Sequence, residues 1–227
     1  VNGADVNSTA ENPVRNVKIV RTATVRNAMP SENSFWVLYG QHKAPTFLED
    51  AGDGQSAQRN SALRYVTQWR NCLDIGSNIG QWCRPLAKLF QKIYCFEPNP
   101  NFRECFTKNI HETNVELFPY GLSNKSHKAQ QDFNSTILRM SEGDIECRTL
   151  DSFEITKVDF VKIDVDGFEV PLLEGARETL TRNTPVVNIE MKRDKRCNTV
   201  RRAEEILKEL GYRYEKRTKS DEVWLKT

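Results

Sequence analysis

What the sequence lacks narrows its reading first. Its six cysteines, Cys72, Cys83, Cys95, Cys105, Cys147 and Cys197, form no C-x-x-C pair and no metal-ligand rhythm, which argues for reduced, mostly buried thiols. No apolar run approaches the roughly 18 residues that span a bilayer. Residues 1–12 are polar, without the charged and apolar regions of a signal peptide. The expectation is a cytoplasmic protein with no membrane partner. The formal net charge is only +2, so bulk electrostatics argues neither for nor against a nucleic-acid partner. At 227 residues the chain is one large domain, or a domain plus an arm.

A further absence lies in the stretch around which the chain is organised. Cys72-Leu73-Asp74-Ile75-Gly76-Ser77-Asn78-Ile79-Gly80, followed by Ile93-Tyr94-Cys95-Phe96-Glu97-Pro98, reads as strand, glycine turn, helix and second strand, with a carboxylate where the second strand stops. The spacing is G-x-x-x-G. It lacks the G-x-G-x-x-G pattern that brings backbone amides to a pyrophosphate. Gly76 and Gly80 leave backbone open to a ligand, and Glu97 stands about 20 residues on, where a carboxylate accepts two hydrogen bonds from a ribose diol. A nucleoside without phosphates suits that pattern, and S-adenosylmethionine (SAM) is the common one, with Asp74 serving its aminoacyl end directly or through water. The competing reading is an ordinary βα turn with a solvated glutamate.

From residue 71 onward strands and helices alternate: strand 72–76, helix 81–90, strand 92–97, helix 100–111, strand 115–120. Such alternation argues for a parallel sheet covered on both faces. Residues 1–69 are read as an N-terminal arm or a lid, with a strand near 17–24, an aromatic patch from Ser34 to Gly40, a turn at 51–54 and a helix over 56–69. Residues 70–227 are read as the main domain. The polar segment 127–148 is compatible with an edge strand, a hairpin or a substrate-ordered loop.

A second informative stretch is the β-prone run 158–165, followed by Asp166-Gly167-Phe168-Glu169 and a helix through 181. Lys162, Asp164 and Asp166 alternate onto one face of a strand whose central position favours apolar residues. Strand 186–190 ends at Glu190, so Asp74, Glu97, Asp164 and Glu190 gather along the carboxyl rim where open parallel sheets bind ligands. A basic run from Lys192 to Arg202 leaves the same rim, then an amphipathic helix and a terminal hairpin over 212–216 and 223–225 close the chain.

With Phe96-Glu97-Pro98-Asn99-Pro100, Gly121-Leu122-Ser123-Asn124, Thr149-Leu150-Asp151 and Val161 to Glu169 added to the first motif, residues 70–192 resemble the FkbM-type methyltransferases of the class I SAM-dependent superfamily. The resemblance implies an α/β fold: a Rossmann-like seven-stranded, mostly parallel sheet with helices on both faces and a C-terminal antiparallel hairpin. It implies methyl transfer from SAM to an oxygen of a sugar or another small hydroxylated acceptor. It carries cofactor contacts onto Asp74, Gly76, Asn78, Glu97 and the turn Gly121, Leu122 and Ser123, with Ser77, Gly80, Pro98 and Asp164 beside them. Catalytic duty falls on Asp164. The family pattern often has Glu where Asp166 stands, which weakens a role for that residue.

An alcohol is a poor nucleophile until its proton leaves, so Asp164 is the candidate base. Lys162 admits two readings, an ion pair stitching Asp164 or a neighbouring strand or a catalytic lysine; with Asp164 and Glu190 it echoes part of the Lys-Asp-Lys-Glu set of RNA ribose methyltransferases. Asp164, Asp166 and Glu190 are also hard oxygen ligands suited to Mg²⁺. Glu169, in a first helical turn, is favoured there by the dipole alone. The basic run is either a solvated face or the sign of an anionic acceptor, nucleic acid included. The contrasting class is a SAM-fold binding protein without turnover.

Overall fold

Seven strands of this computed structural model make one sheet, and its described residues are 10–11, 18–21, 35–39, 55–131, 138–139, 143–192 and 197–227. Short strands Ala10–Glu11 (β1), Lys18–Arg21 (β2) and Trp36–Tyr39 (β3) form a separate antiparallel sheet. Helix Ser56–Leu63 (α1) follows. The predicted turn at 51–54 and most of the predicted arm lie outside the described residues. The main domain then runs Asn71–Ile75 (β4), Cys83–Leu86 (α2), Lys92–Phe96 (β5), Pro100–Asn109 (α3), Val115–Phe118 (β6) and Gly121–Leu122 (β7). After it come His127–Gln131 (β8), Leu138–Arg139 (β9), Ile145–Arg148 (β10), a 3₁₀ turn at Leu150–Phe153 and Val158–Ile163 (β11). Glu169–Glu174 (α4), Arg177–Asn183 (α5), Val186–Glu190 (β12), Cys197–Glu209 (α6), Tyr212–Thr218 (β13) and Asp221–Lys226 (β14) complete the chain.

The large sheet has the order β13-β14-β12-β11-β4-β5-β6. β4, β5, β6, β11 and β12 pair in parallel, and β14 alone pairs antiparallel with both its neighbours. The expected seven-stranded, mostly parallel sheet with a closing hairpin is therefore the observed one. Strand order reverses between β4 and β11, which is where such sheets open a crevice at their carboxyl ends.

Period-two alternation divides the core cleanly. Leu73, Ile75, Val161, Ile163, Val187 and Ile189 face one layer with Leu172, Leu180 and Ile206 of α4, α5 and α6. Cys72, Ile93 and Phe160 face the other layer with Leu63, Leu86 and Phe106 of α1, α2 and α3. All five cysteines with described side chains are free and buried. Among the described residues no helix is long and apolar enough to cross a membrane.

Three helices are shorter than the sequence suggests. The run 81–90 is helical in regular form only at α2, which contains Pro85; the missing N–H there leaves a gap in the ladder between Arg84 N to Gly80 O and Leu86 N to Trp82 O. Past α1 the bonds tighten to Tyr65 N to Ala62 O and Val66 N to Leu63 O, and Trp69 O then accepts Gln91 N as the chain enters β4. The predicted helix after Asp166 is two, α4 and α5, split at Gly175. A β-carbon there would lie 2.0 Å from Ser123 O, so the turn after β7 occupies the space a side chain needs. The described strands of segment 127–148, β8, β9 and β10, join β7 in an added sheet of order β7-β10-β8-β9, packed through Ala129, Cys147 and Phe168.

Gly175→Ala is expected to destabilise the fold by at least about 1–3 kcal/mol, since backbone rather than a flexible side chain must yield. A urea midpoint equal to wild type would contradict the close approach.

Candidate active site

The turn after β4 is held by bonds within itself and to the end of β5. Gly76 N and Ser77 N donate to Phe96 O at 2.9 and 3.1 Å, and Gly80 N donates to Ser77 O at 2.9 Å. Asn78 N donates to Glu97 Oε2 at 2.9 Å and Ile79 N to Asn78 Oδ1 at 2.8 Å. Every N–H from Gly76 to Gly80 is thus engaged within the protein, and none is left to converge on a phosphate. Gly76 (φ +74°) abuts Asp164 O, which a β-carbon would meet at 1.8 Å. Gly80 (φ +93°) abuts Ile110 at 2.7 Å, so its missing side chain serves packing of the segment after α3.

Glu97 closes the adjoining strand with its carboxylate locked. Oε2 accepts from Asn78 N, as above, and Oε1 from Asn99 N at 2.8 Å. A carboxylate offers about four acceptor sites, so each oxygen keeps capacity for a ligand donor. Burial pushes the Glu97 carboxyl up to about 7, against the pull of those two N–H groups and of the Lys162 and Arg103 charges. Gly76, Asn78, Glu97, Pro98, Tyr120 and Asp164 are among the walls of a cleft enclosing about 550 Å³, part of it open to solvent.

Beneath the cleft a polar row crosses the sheet on the α1 to α3 face. Register sets Lys162 opposite both Asp74 and Asn188. The Lys162 ammonium stands 3.2 Å from Asp74 Oδ1 and donates to Gly76 O at 2.6 Å. Asn188 Nδ2 donates to Asp221 Oδ2 at 2.8 Å. Burial pushes Asp74 upward and the Lys162 charge opposes it. Burial pulls Lys162 down, but Asp74 and Asp164 more than reverse that.

At the rim above this row lie Asp164, Asp166 and Glu190, with one carboxylate oxygen of each within 4.8 Å of the others. Burial lifts Asp164 to about 7, Lys162 opposes, and neighbouring Glu190 and Asp166 add to the rise. Lys192 Nζ bridges Asp166 Oδ1 and Glu190 Oε2 at 2.7 Å each. Ser220, at the tip of the β13 to β14 hairpin, donates to Glu190 Oε1 at 3.0 Å.

A family model described as the methyltransferase FkbM domain matches residues 74–214, well over half of the chain. This chain belongs to the FkbM methyltransferase family. As an FkbM member it falls within the SAM-dependent methyltransferases. A curated relative, the hexuronic acid methyltransferase AglP of Haloferax volcanii, is 29% identical over 124 residues, 47% of this chain and 50% of that protein. The chain thus spans about half the length of that relative. The crystal structure of methyltransferase FkbM from Methylobacillus flagellatus matches with a TM-score of 0.52 at 16% identity, over 70% of this chain and 45% of that one. Ribosomal protein L11 methylase from Lactobacillus delbrueckii subsp. bulgaricus gives 0.50 at 11% identity, over 75% and 77%. At these identities the two structures speak to the fold.

Of the residues singled out in the sequence of this FkbM domain, Gly76, Asn78, Glu97, Pro98, Gly121, Leu122, Asp164 and Asp166 line the cleft. Asp74, Ser77 and Ser123 are buried and, with Gly80, are absent from its wall. Lys162 is likewise buried, facing Asp74 on the neighbouring strand. Glu190 is absent from the cleft wall and joins the rim beside Asp164 and Asp166, held by Lys192 and Ser220. Glu169, in the first turn of α4, accepts from Gly167 N at 2.8 Å, a local capping contact. Tyr120, Phe96 and Val165 line the cleft without having been singled out as site residues. Tyr120 was detectable as the aromatic preceding Gly121, and Arg148 stacks 4.0 Å from its ring centroid.

Lys192 belongs to the basic run; residues 193–196 of that run lie outside the described residues. Its described members face acids: Arg201 pairs with Glu205, and Arg202 with Glu205 and Glu209. In the described part of the arm, Asn109 of α3 accepts from Trp36 N at 2.7 Å and returns a bond to Trp36 O at 3.0 Å.

Lys162→Met strands Asp74 in the sheet without its counter-charge and is expected to cost about 3–5 kcal/mol, read from the urea midpoint. Adding Asp74→Leu should recover most of it, and a double variant no better than the single would refute the pairing. Glu97 gives a pH signature. Its carboxyl sits above the unfolded value of 4.5 at about 7, so its contribution is fully present below pH 4.5 and is lost as pH rises through 7. Wild type should lose up to about 3 kcal/mol from this group across that window. In Glu97→Gln that part of the slope should vanish, and an unchanged slope would reassign it.

Proposed function

We propose that this protein is an O-methyltransferase that binds SAM in the cleft above β4, β5 and β11 and transfers its methyl to a hydroxyl of a sugar-like acceptor. One observation carries the cofactor assignment: the Gly76 to Gly80 loop has no N–H left for a phosphate, yet beside it a fixed glutamate lines the cleft with acceptor capacity left on each oxygen. That donor set fits an adenosyl group without phosphates and disfavours a dinucleotide. Glu97 would take the ribose diol, the bare backbone at Gly76 would border the sugar and sulfonium, and Tyr120 with Gly121 and Leu122 would flank the adenine. Asp74, buried and cross-linked to Lys162, shapes the loop from below, and water relays any contact it makes with the aminoacyl end.

The bound cofactor supplies an activated methyl on a sulfonium. The chain's own work is alignment and proton removal. Alignment in well-oriented systems is worth as much as roughly 7–11 kcal/mol. Asp164 lies on the cleft wall at the end of β11, and its raised carboxyl suits a base operating near neutral pH. It would take the acceptor hydroxyl proton as the oxygen attacks the methyl.

Support for a sugar acceptor comes from the relative named a hexuronic acid methyltransferase. Whether the acceptor carries a carboxylate is then a matter of rim charge. The rim holds three carboxylates against one described ammonium, which favours a neutral hydroxylated face toward Asp164 and places any uronate carboxylate away from it. The nucleic-acid reading draws less support. Lys162 is turned into the sheet, and the described cations of the basic run face acids. The turnover-free reading leaves the strained rim of Asp164, Asp166 and Glu190 without a purpose.

Calorimetry with SAM should show binding that Glu97→Ala weakens about 10- to 100-fold, the loss of one or two hydrogen bonds to a charged group. Asp164→Asn should retain SAM and lose about 10²- to 10⁴-fold in release of S-adenosylhomocysteine with the accepted sugar. Hexuronic and neutral hexose acceptors and short RNA should be compared directly. No heat with SAM would end the cofactor assignment, and turnover on RNA alone would replace the sugar.

A further inference from the structure

Three carboxylates brought within 4.8 Å of one another need a cation. A divalent metal is the usual solution, held at about 2.0–2.6 Å by several oxygens. Here an ammonium already contacts two of the three carboxylates. Lys192 Nζ is 2.7 Å from Asp166 Oδ1 and 2.7 Å from Glu190 Oε2, in contact with carboxylates from two different segments.

The chain fixes this ammonium from both sides. Met191 N donates to Ser220 O at 2.8 Å, and Arg217 Nη2 donates to Met191 O at 3.0 Å. The same Ser220 holds Glu190 through its hydroxyl. Lys192 therefore emerges from a backbone clamped to the hairpin, one residue past a carboxylate clamped to the same turn. Asp166 meets it from a left-handed backbone (φ +49°) that a non-glycine residue adopts only at a cost. Two segments meet at one amine, and the hairpin holds the backbone that carries it.

We propose that Lys192 is the built-in cation of the Asp164, Asp166 and Glu190 cluster, a positioning residue that stands where a divalent ion would and makes the reaction metal-independent. Its catalytic consequence rests on the methyltransferase reading above; its cation role does not. A metal entering the cluster has to displace the ammonium or lie beside it, two like charges a few ångströms apart. The residues therefore do not fit a resident Mg²⁺, and no step is assigned to one. With its two neighbours tied back, Asp164 is left as the carboxylate of the three that faces the cleft unbridged by Lys192.

The test is a Mn²⁺ titration of the full chain followed by electron paramagnetic resonance, which needs neither cofactor nor acceptor. Wild type and Lys192→Arg should leave Mn²⁺ free. Lys192→Met, which keeps the stem and removes the charge, should gain one bound Mn²⁺ per chain and lose it again when Glu190→Gln is added. In parallel, EDTA should leave wild-type turnover unchanged, while Lys192→Met should lose at least tenfold in kcat and Lys192→Arg should restore most of it. The proposal is overturned by one Mn²⁺ bound to wild type and abolished by Glu190→Gln. A folded Lys192→Met that gains no metal overturns it equally. Failure of SAM binding alone would fall on the functional reading and leave the titration result standing.

Discussion

The contact on which the site depends is the one between Lys162 and the first strand. Its ammonium reaches Asp74 Oδ1 and Gly76 O together, so one charge ties the end of β11 to the end of β4 across the point where strand order reverses. A parallel sheet at that point splays to make a crevice, and the two strand ends have no continuous helix covering them. Asp164 N donating to Ile75 O and Gly76 pressed on Asp164 O complete the seam. Asp164 and the Gly76 to Gly80 loop are consequently parts of one rigid joint. A buried pair of this kind adds little net stability over an apolar one, and its value lies in fixing which strand ends meet.

From that joint the acidic rim is supported in sequence order, outward toward the hairpin. Asn188 opposes Lys162 and binds Asp221; Ser220 binds Glu190; Met191 and Arg217 set the course of the chain into Lys192. The antiparallel hairpin that closes the sheet thus also holds the far half of the rim. Without it, Glu190 and Lys192 would belong to a mobile strand exit, and Asp164 would face two carboxylates of unfixed position.

Much of this was legible in the sequence, and the boundary of legibility has a physical cause. Features set by neighbours along one βα unit could be read: the strand and turn at Asp74 to Gly80, Glu97 at the next strand end, the rim positions of Asp164 and Glu190, and the closing hairpin. Features set by contact between distant segments could not. Gly80 and Gly175 are bare because Ile110 and Ser123 press on them, and no spacing reports that. Pairing register decided that Lys162 meets Asp74 more closely than its sequence neighbour Asp164. Lys192 read as one member of a solvated basic run, because its partners Asp166 and Glu190 and its clamps Ser220 and Arg217 come from separate stretches. Helix length was overread where Gly175 interrupts a run whose apolar periodicity continues through it.

The distribution of charge bears on chemistry as well as on folding. A SAM sulfonium is itself cationic, so methyl transfer to a neutral hydroxyl consumes positive charge at the donor while the leaving proton needs an anionic destination. A rim with more carboxylates than ammonium groups meets the second requirement, because it gives the proton a nearby acceptor. A rim rich in free lysine and arginine would not. The described rim around Asp164 carries that acid excess, moderated by one tethered amine, on a strand end adjoining a loop whose N–H groups are all engaged within the protein.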